Sequence, residues 1–64
     1  MEGDKFFTVD GVRYKCTFMY GYNSHYYGTV YNDESGRYIG QLVDIRIDDS
    51  DVEKRVTDFI KNNI

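Results

Sequence analysis

Sixty-four residues lie near the lower limit for independent folding, where roughly 60% of the unfolded chain's surface is buried, so one core and one domain over residues 1–64 are expected. A single cysteine, Cys16, excludes an intramolecular disulfide, and one histidine, His25, leaves no Cys/His set for a structural metal. The formal net charge of −3 argues against a surface that binds nucleic acid indiscriminately, while leaving room for a local basic patch.

Stability must then come from the 41% of hydrophobic residues, of which the aromatics, 17% of the chain, supply large buried area per side chain. No stretch approaches the 18 or so consecutive apolar residues of a membrane span, and Met1 to Phe7 lacks a basic segment followed by an apolar run. A cytoplasmic protein that does not contact membranes is expected. The chain has no alanine, proline or tryptophan. Alanine and proline codons are GC-rich, so this bias hints at an AT-rich genome such as that of a phage or other mobile element.

The first strand is expected at about residues 5–9, ending at Asp10-Gly11, with the second at about 12–20. A two-residue Asp-Gly turn between apolar runs is a strong hairpin signal. Counting back from it sets Val9 against Val12, Phe7 against Tyr14 and Phe6 against Lys15. Along the second strand, Val12, Tyr14, Cys16, Phe18 and Tyr20 alternate with Arg13, Lys15, Thr17 and Met19, the former set being the core side.

Gly21 to His25 reads as a loop, 26–31 as the third strand, and Asn32 to Gly36 as a turn into a fourth strand at 37–47. This register pairs Tyr20 with Tyr26, Phe18 with Gly28, Cys16 with Val30, and Gly28 with Gly40. The two glycines read either as a hollow for the ring of Phe18 or of a helix aromatic, or as a bulge at Gly40. Leu42 keeps the core phase, whereas Val43, Ile45 and Ile47 are one residue out of step, which calls for a bulge or bend near 40–43. Residues 43–48 either extend the fourth strand or pass as a fifth beside the first.

A helix is expected at about 51–62. Ser50 and Glu53 have capping-box spacing, and Asp48, Asp49 and Asp51 add negative charge at the positive end of the dipole. Val52, Val56, Phe59, Ile60 and Ile64 form one apolar stripe, leaving Lys54, Arg55, Asp58, Lys61 and Asn62 toward solvent. The fold class is thus α+β: a four- to five-stranded antiparallel sheet, a hairpin meander, with one C-terminal helix packed on one face.

Chemistry-bearing constellations are few. Cys16 and His25 could pair as nucleophile and base, but with Cys16 opposite Val30, His25 lies roughly 15 Å away at strand rise. Cys16 reads as a buried small hydrophobe. Asp49, Asp51 and Glu53 alternate like calcium-loop acids, yet Lys54 and Ile60 stand where the loop needs glycine and a bidentate glutamate. Capping explains those acids. No phosphate loop, nucleophile elbow or metal-ligand spacing occurs, so neither enzyme activity, metal nor cofactor is expected.

One helix covers one face of a sheet. The uncovered face is expected to carry Phe6, Arg13, Lys15, Thr17, Met19, Tyr27, Thr29, Tyr31, Arg37, Ile39 and Gln41, mixing aromatics, aliphatics and bases with no acid. Such a patch has the composition of an interface rich in Tyr, Met and Arg. The leading reading is a non-enzymatic protein–protein interaction module that binds another protein or a second copy of itself. A phage-encoded regulator or inhibitor of a host protein fits that class. Its binding residues are Phe6, Arg13, Lys15, Met19, Tyr27, Tyr31, Arg37 and Ile39. The alternatives are single-stranded nucleic acid or a nucleotide stacking on the same face, and an acidic nucleic-acid mimic using Asp44, Asp48, Asp49, Asp51 and Glu53.

Overall fold

The computed structural model describes residues 2–46 and 48–64. Four antiparallel strands, β1 (Gly3–Val9), β2 (Val12–Tyr22), β3 (His25–Asn32) and β4 (Tyr38–Arg46), are followed by helix α1 (Val52–Asn63). The sheet order is β1-β2-β3-β4, a meander of neighbouring strands. Residues up to Arg46 extend the fourth strand rather than forming a fifth, and Ile47, expected to end it, lies outside the described residues.

The first hairpin has the register that its turn dictates, with Val9 opposite Val12 and Phe6 opposite Lys15. Asp10 and Gly11 both take positive φ, 52° and 79°, as a type I′ turn requires. The second hairpin is tighter than the expected loop. Asn23 and Ser24 take φ of 50° and 61°, so the strands run on to Tyr22 and resume at His25, with a register shift between Tyr20 and Tyr22. The third turn is built by Asn32, whose Oδ1 accepts the Glu34 and Ser35 N–H groups at 2.9 Å, and by Gly36 at φ 76°.

The pairing of β3 with β4 corrects the expected register. Gly28 stands opposite Leu42 and Val30 opposite Gly40, so the two glycines are not cross-strand partners. Each nevertheless accommodates a ring or sulfur: a Cβ on Gly28 would meet Cys16 Sγ at 2.6 Å and Phe18 at 3.3 Å, and one on Gly40 would meet Phe59 at 2.7 Å. Each reading holds in part: rings occupy the space above the glycines, the helix aromatic on Gly40, and a register shift falls between Gly40 and Tyr38. Register shifts occur on both sides of Gly40, one at Val30/Tyr31 and one at Tyr26/Gly28. Asp44, at φ 58°, falls in the second, which is how Leu42 and Ile45 both reach the core while Val43 points out.

The core joins Val9, Tyr14, Cys16, Phe18, Tyr26, Val30, Leu42 and Ile45 of the sheet to Val56 and Ile60 of α1. Each fully enclosed large side chain, such as Phe18, Ile45 or Ile60, stabilises the fold by about 1.5–3 kcal/mol. Val12 and Tyr20 share the core phase of β2 but sit at its ends, beyond the helix, and are exposed. Val52 and Phe59 complete the helix stripe, whereas Ile64 follows the last turn and is exposed. The helix backbone approaches the edge strands β1 and β4 most closely. The other face of the sheet has no element packed on it.

The helix start is also corrected. Asp51 occupies the N-cap position with φ −102° and makes no side-chain cap bond, so the Ser50-Glu53 capping box does not form. Asp49 replaces it, its Oδ1 accepting the Asp51 N–H at 2.8 Å. Arg55, expected in solvent, donates from Nη1 to the Asp44 carbonyl at 3.0 Å and from Nη2 to the Val43 carbonyl at 3.2 Å. Its Nη1 also meets Asp49 Oδ2 at 3.5 Å, so one guanidinium ties the helix start to the bulge of β4.

Candidate protein interface

The uncovered face is assembled by period-two alternation across four strands. Register places Phe6 beside Lys15, Lys15 beside Tyr31, Thr17 beside Thr29 and Met19 beside Tyr27. Six of the expected binding residues, Phe6, Arg13, Lys15, Met19, Tyr27 and Tyr31, thus share one surface. Phe6 is 47% exposed and Met19 45%, high values for large apolar side chains outside an interface.

Two expected residues leave the face. The register shift at Val30/Tyr31 puts Tyr38, not Arg37, opposite Tyr31. Arg37 precedes β4, where its carbonyl accepts the Asn32 N–H, and it borders a cleft with Tyr14 and Ile64 on the helix side. Ile39, caught in the same shift, packs against the core. Tyr38 takes its place on the uncovered face, 58% exposed, with its ring 5.9 Å from that of Tyr31 in a T-shaped pair. A count from the Asn32–Gly36 turn that allowed one bulge residue would have found it.

The face is not free of acids. Strand β1 begins at Gly3, earlier than expected, and carries Asp4 opposite Thr17, whose hydroxyl donates to the Asp4 carboxylate at 2.8 Å. The cations lie over the face's own rings: Arg13 Cζ is 4.1 Å from the Phe6 centroid and Lys15 Nζ 5.6 Å from that of Tyr31. Arg13 also meets Asp33 at 3.5 Å. These contacts flatten long side chains onto the sheet and lower the entropy lost when a partner covers them.

At the end of the face nearest the Asn23-Ser24 turn, a cleft of about 320 Å³ opens among Tyr22, His25, Tyr27, Gln41, Val43 and Asp44. Gly21 leaves room for it. A Cβ there would stand 3.2 Å from the His25 carbonyl and 3.8 Å from the Tyr27 ring. The sequence signal for this cleft was the run Tyr20 to His25, dense in aromatic side chains around one glycine; reading it as a loop hid the fact that it continues both strands.

The chain matches no family model, no curated protein and no solved structure. Function must therefore be argued from the site itself.

The other chemistry-bearing residues are placed elsewhere. Cys16 lies opposite Val30, wholly buried, and burial, with the Asp4 carboxylate adding to it, pushes its thiol up to about 12. A thiol so raised carries almost no thiolate at neutral pH and is a poor nucleophile. Of the acids around the helix start, Asp48 faces Arg46 at 3.3 Å and Asp49 is engaged by Asp51 and Arg55. Their charges are partly neutralised within the chain, which weakens a phosphate-mimicking role. No helix among the described residues is long and apolar enough to cross a membrane.

Proposed function

We propose that this chain is a non-enzymatic protein-binding module whose uncovered sheet face, centred on Phe6, Met19, Tyr27, Tyr31 and Tyr38, docks on another protein. The observation that carries this reading is the cluster of exposed Phe6, Met19 and Tyr38 with half-buried Tyr27 and Tyr31 on the one sheet face that the helix leaves uncovered. Aromatics and methionine give a partner apolar area to bury, and Arg13 and Lys15 suit a partner surface with acids around an apolar centre. A small regulator or inhibitor, encoded by a phage or another mobile element and acting in the cytoplasm by occupying a host protein's surface, fits this chemistry.

The cations Arg13 and Lys15 on this face favour a foreign partner over a second copy, which would set like charges against like. The expected result is a monomer by light scattering at all concentrations. In co-purification, a protein partner is retained by wild type and by Lys61→Ala on the helix, and lost on Met19→Asp and Tyr31→Ala. A dimer that Tyr31→Ala dissociates would overturn the assignment in favour of self-association. Oligonucleotide binding that falls steeply with salt would overturn it in favour of nucleic acid, because phosphate contacts release counterions.

A further inference from the structure

We propose that the cleft beside the Asn23-Ser24 turn receives the guanidinium of an arginine presented by the partner protein; this rests on the protein-binding reading above and names the chemistry of one of its contacts. Elsewhere on the uncovered face the chain supplies its own cations to its rings, Arg13 to Phe6 and Lys15 to Tyr31. At the cleft the tyrosine rings carry no such cation. Among the described residues no Lys or Arg lies over Tyr22, 64% exposed with its ring 5.9 Å from that of His25, or over Tyr27, and Arg46, the cross-strand partner of His25, is paired with Asp48 at 3.3 Å.

Two acceptors border the same cleft. Asp44 is exposed, and its carboxylate has no ion-pair or hydrogen-bond partner among the described residues, in contrast to Asp33, Asp48, Asp49 and Asp58. Gln41 donates its Nε2 to Thr29 Oγ1 at 3.3 Å, which orients the amide and leaves its Oε1 available. Aromatic faces, a carboxylate and an amide oxygen together match a planar cation with five N–H donors, which stacks and hydrogen-bonds at once; a lysine ammonium has no plane to stack.

Asp44 holds this position at a conformational cost. Its φ of 58° lies in the left-handed region, where glycine would sit unstrained, and Arg55 fixes its carbonyl from the helix side. Arg55 thus fixes the Asp44 backbone from behind and leaves its carboxylate free to meet a ligand.

The test is an NMR titration of the whole chain with N-acetyl-arginine amide, and in parallel with N-acetyl-citrulline amide, which keeps the shape without the charge, and with adenosine. Saturable shifts confined to Tyr22, His25, Tyr27, Gln41 and Val43 are expected for arginine, weakened about tenfold for citrulline and in Asp44→Asn. Asparagine tolerates the left-handed region, so this variant keeps the fold, as unchanged shifts elsewhere would verify. Equal binding of citrulline, indifference to Asp44→Asn, adenosine binding in place of arginine, or no saturable shift would each overturn the proposal. The probe acts without the partner. Failure here, with Met19→Asp still abolishing partner binding, would remove the arginine site and leave the docking face standing, while the converse would remove the face alone.

Discussion

Phe59 lies so close over Gly40 that a Cβ on the glycine would stand 2.7 Å from the ring's Cζ. The helix reaches the sheet at this point by using the absence of a side chain. Gly40→Ala should therefore destabilise the protein by about 1–3 kcal/mol, the usual cost of overpacking, read as a lower urea midpoint at unchanged slope. Combining it with Phe59→Leu should cost less than the sum of the two single changes, because the clash is relieved. An unchanged midpoint for Gly40→Ala would show that the ring moves aside freely.

The helix start offers a contrast between two residues. Ser50→Ala should change stability by less than about 0.5 kcal/mol, since no side-chain cap bond is made there. Arg55→Ala should cost about 1–3 kcal/mol, since it removes hydrogen bonds from a charged donor to the Val43 and Asp44 carbonyls. Arg55→Lys should recover only part, because an ammonium cannot span both acceptors as the fork does. Urea denaturation separates the cases, and faster amide exchange confined to 43–46 would locate the loss at the bulge. A costly Ser50→Ala with a silent Arg55→Ala would refute this account.

Cys16 sets an alkaline limit. Its thiol is raised from an ordinary 9.0 to about 12 in the folded chain, so the folded state holds its proton after the unfolded state has released it. The resulting contribution to stability is fully present below pH 9 and is lost as the pH rises from 9 toward 12. Cys16→Ala, though less stable at neutral pH through its lost volume, should show a shallower fall across that window in denaturation experiments at stepped pH. A thiol reagent at pH 8 should label Cys16 at the rate of global unfolding; immediate labelling would mean that the sulfur is reachable in the native state.

Much of the fold was legible because it is local. The first hairpin register follows from Asp10-Gly11, and the β2–β3 pairing from period-two alternation, so Lys15 beside Tyr31 and Cys16 beside Val30 are legible in the sequence. The helix was legible from its stripe, where Val56 and Ile60 are indeed wholly buried. Fusing the Gly21–His25 run into the strands was missed because Asn23 and Ser24 are ordinary loop residues whose positive φ the chain pattern does not announce.

What the sequence by itself determined is therefore the element order, the first two registers and the side of the sheet that faces the helix, each dictated by spacing between near neighbours. The phase of Leu42 against Ile45 called for a bulge near 40–43, and the tertiary structure decided its place, between Leu42 and Ile45, and added a second shift between Tyr38 and Gly40. Leu42 and Ile45 both have to reach the helix side, and two register shifts deliver them while turning Ile39 inward and Tyr38 outward. It also decided the helix start, where Arg55 bonded to two strand carbonyls takes the role that a local Ser50 cap was expected to fill. Both outcomes depend on contacts between residues distant along the chain, and the free energy of those contacts outweighs the local preference for regular pairing and capping.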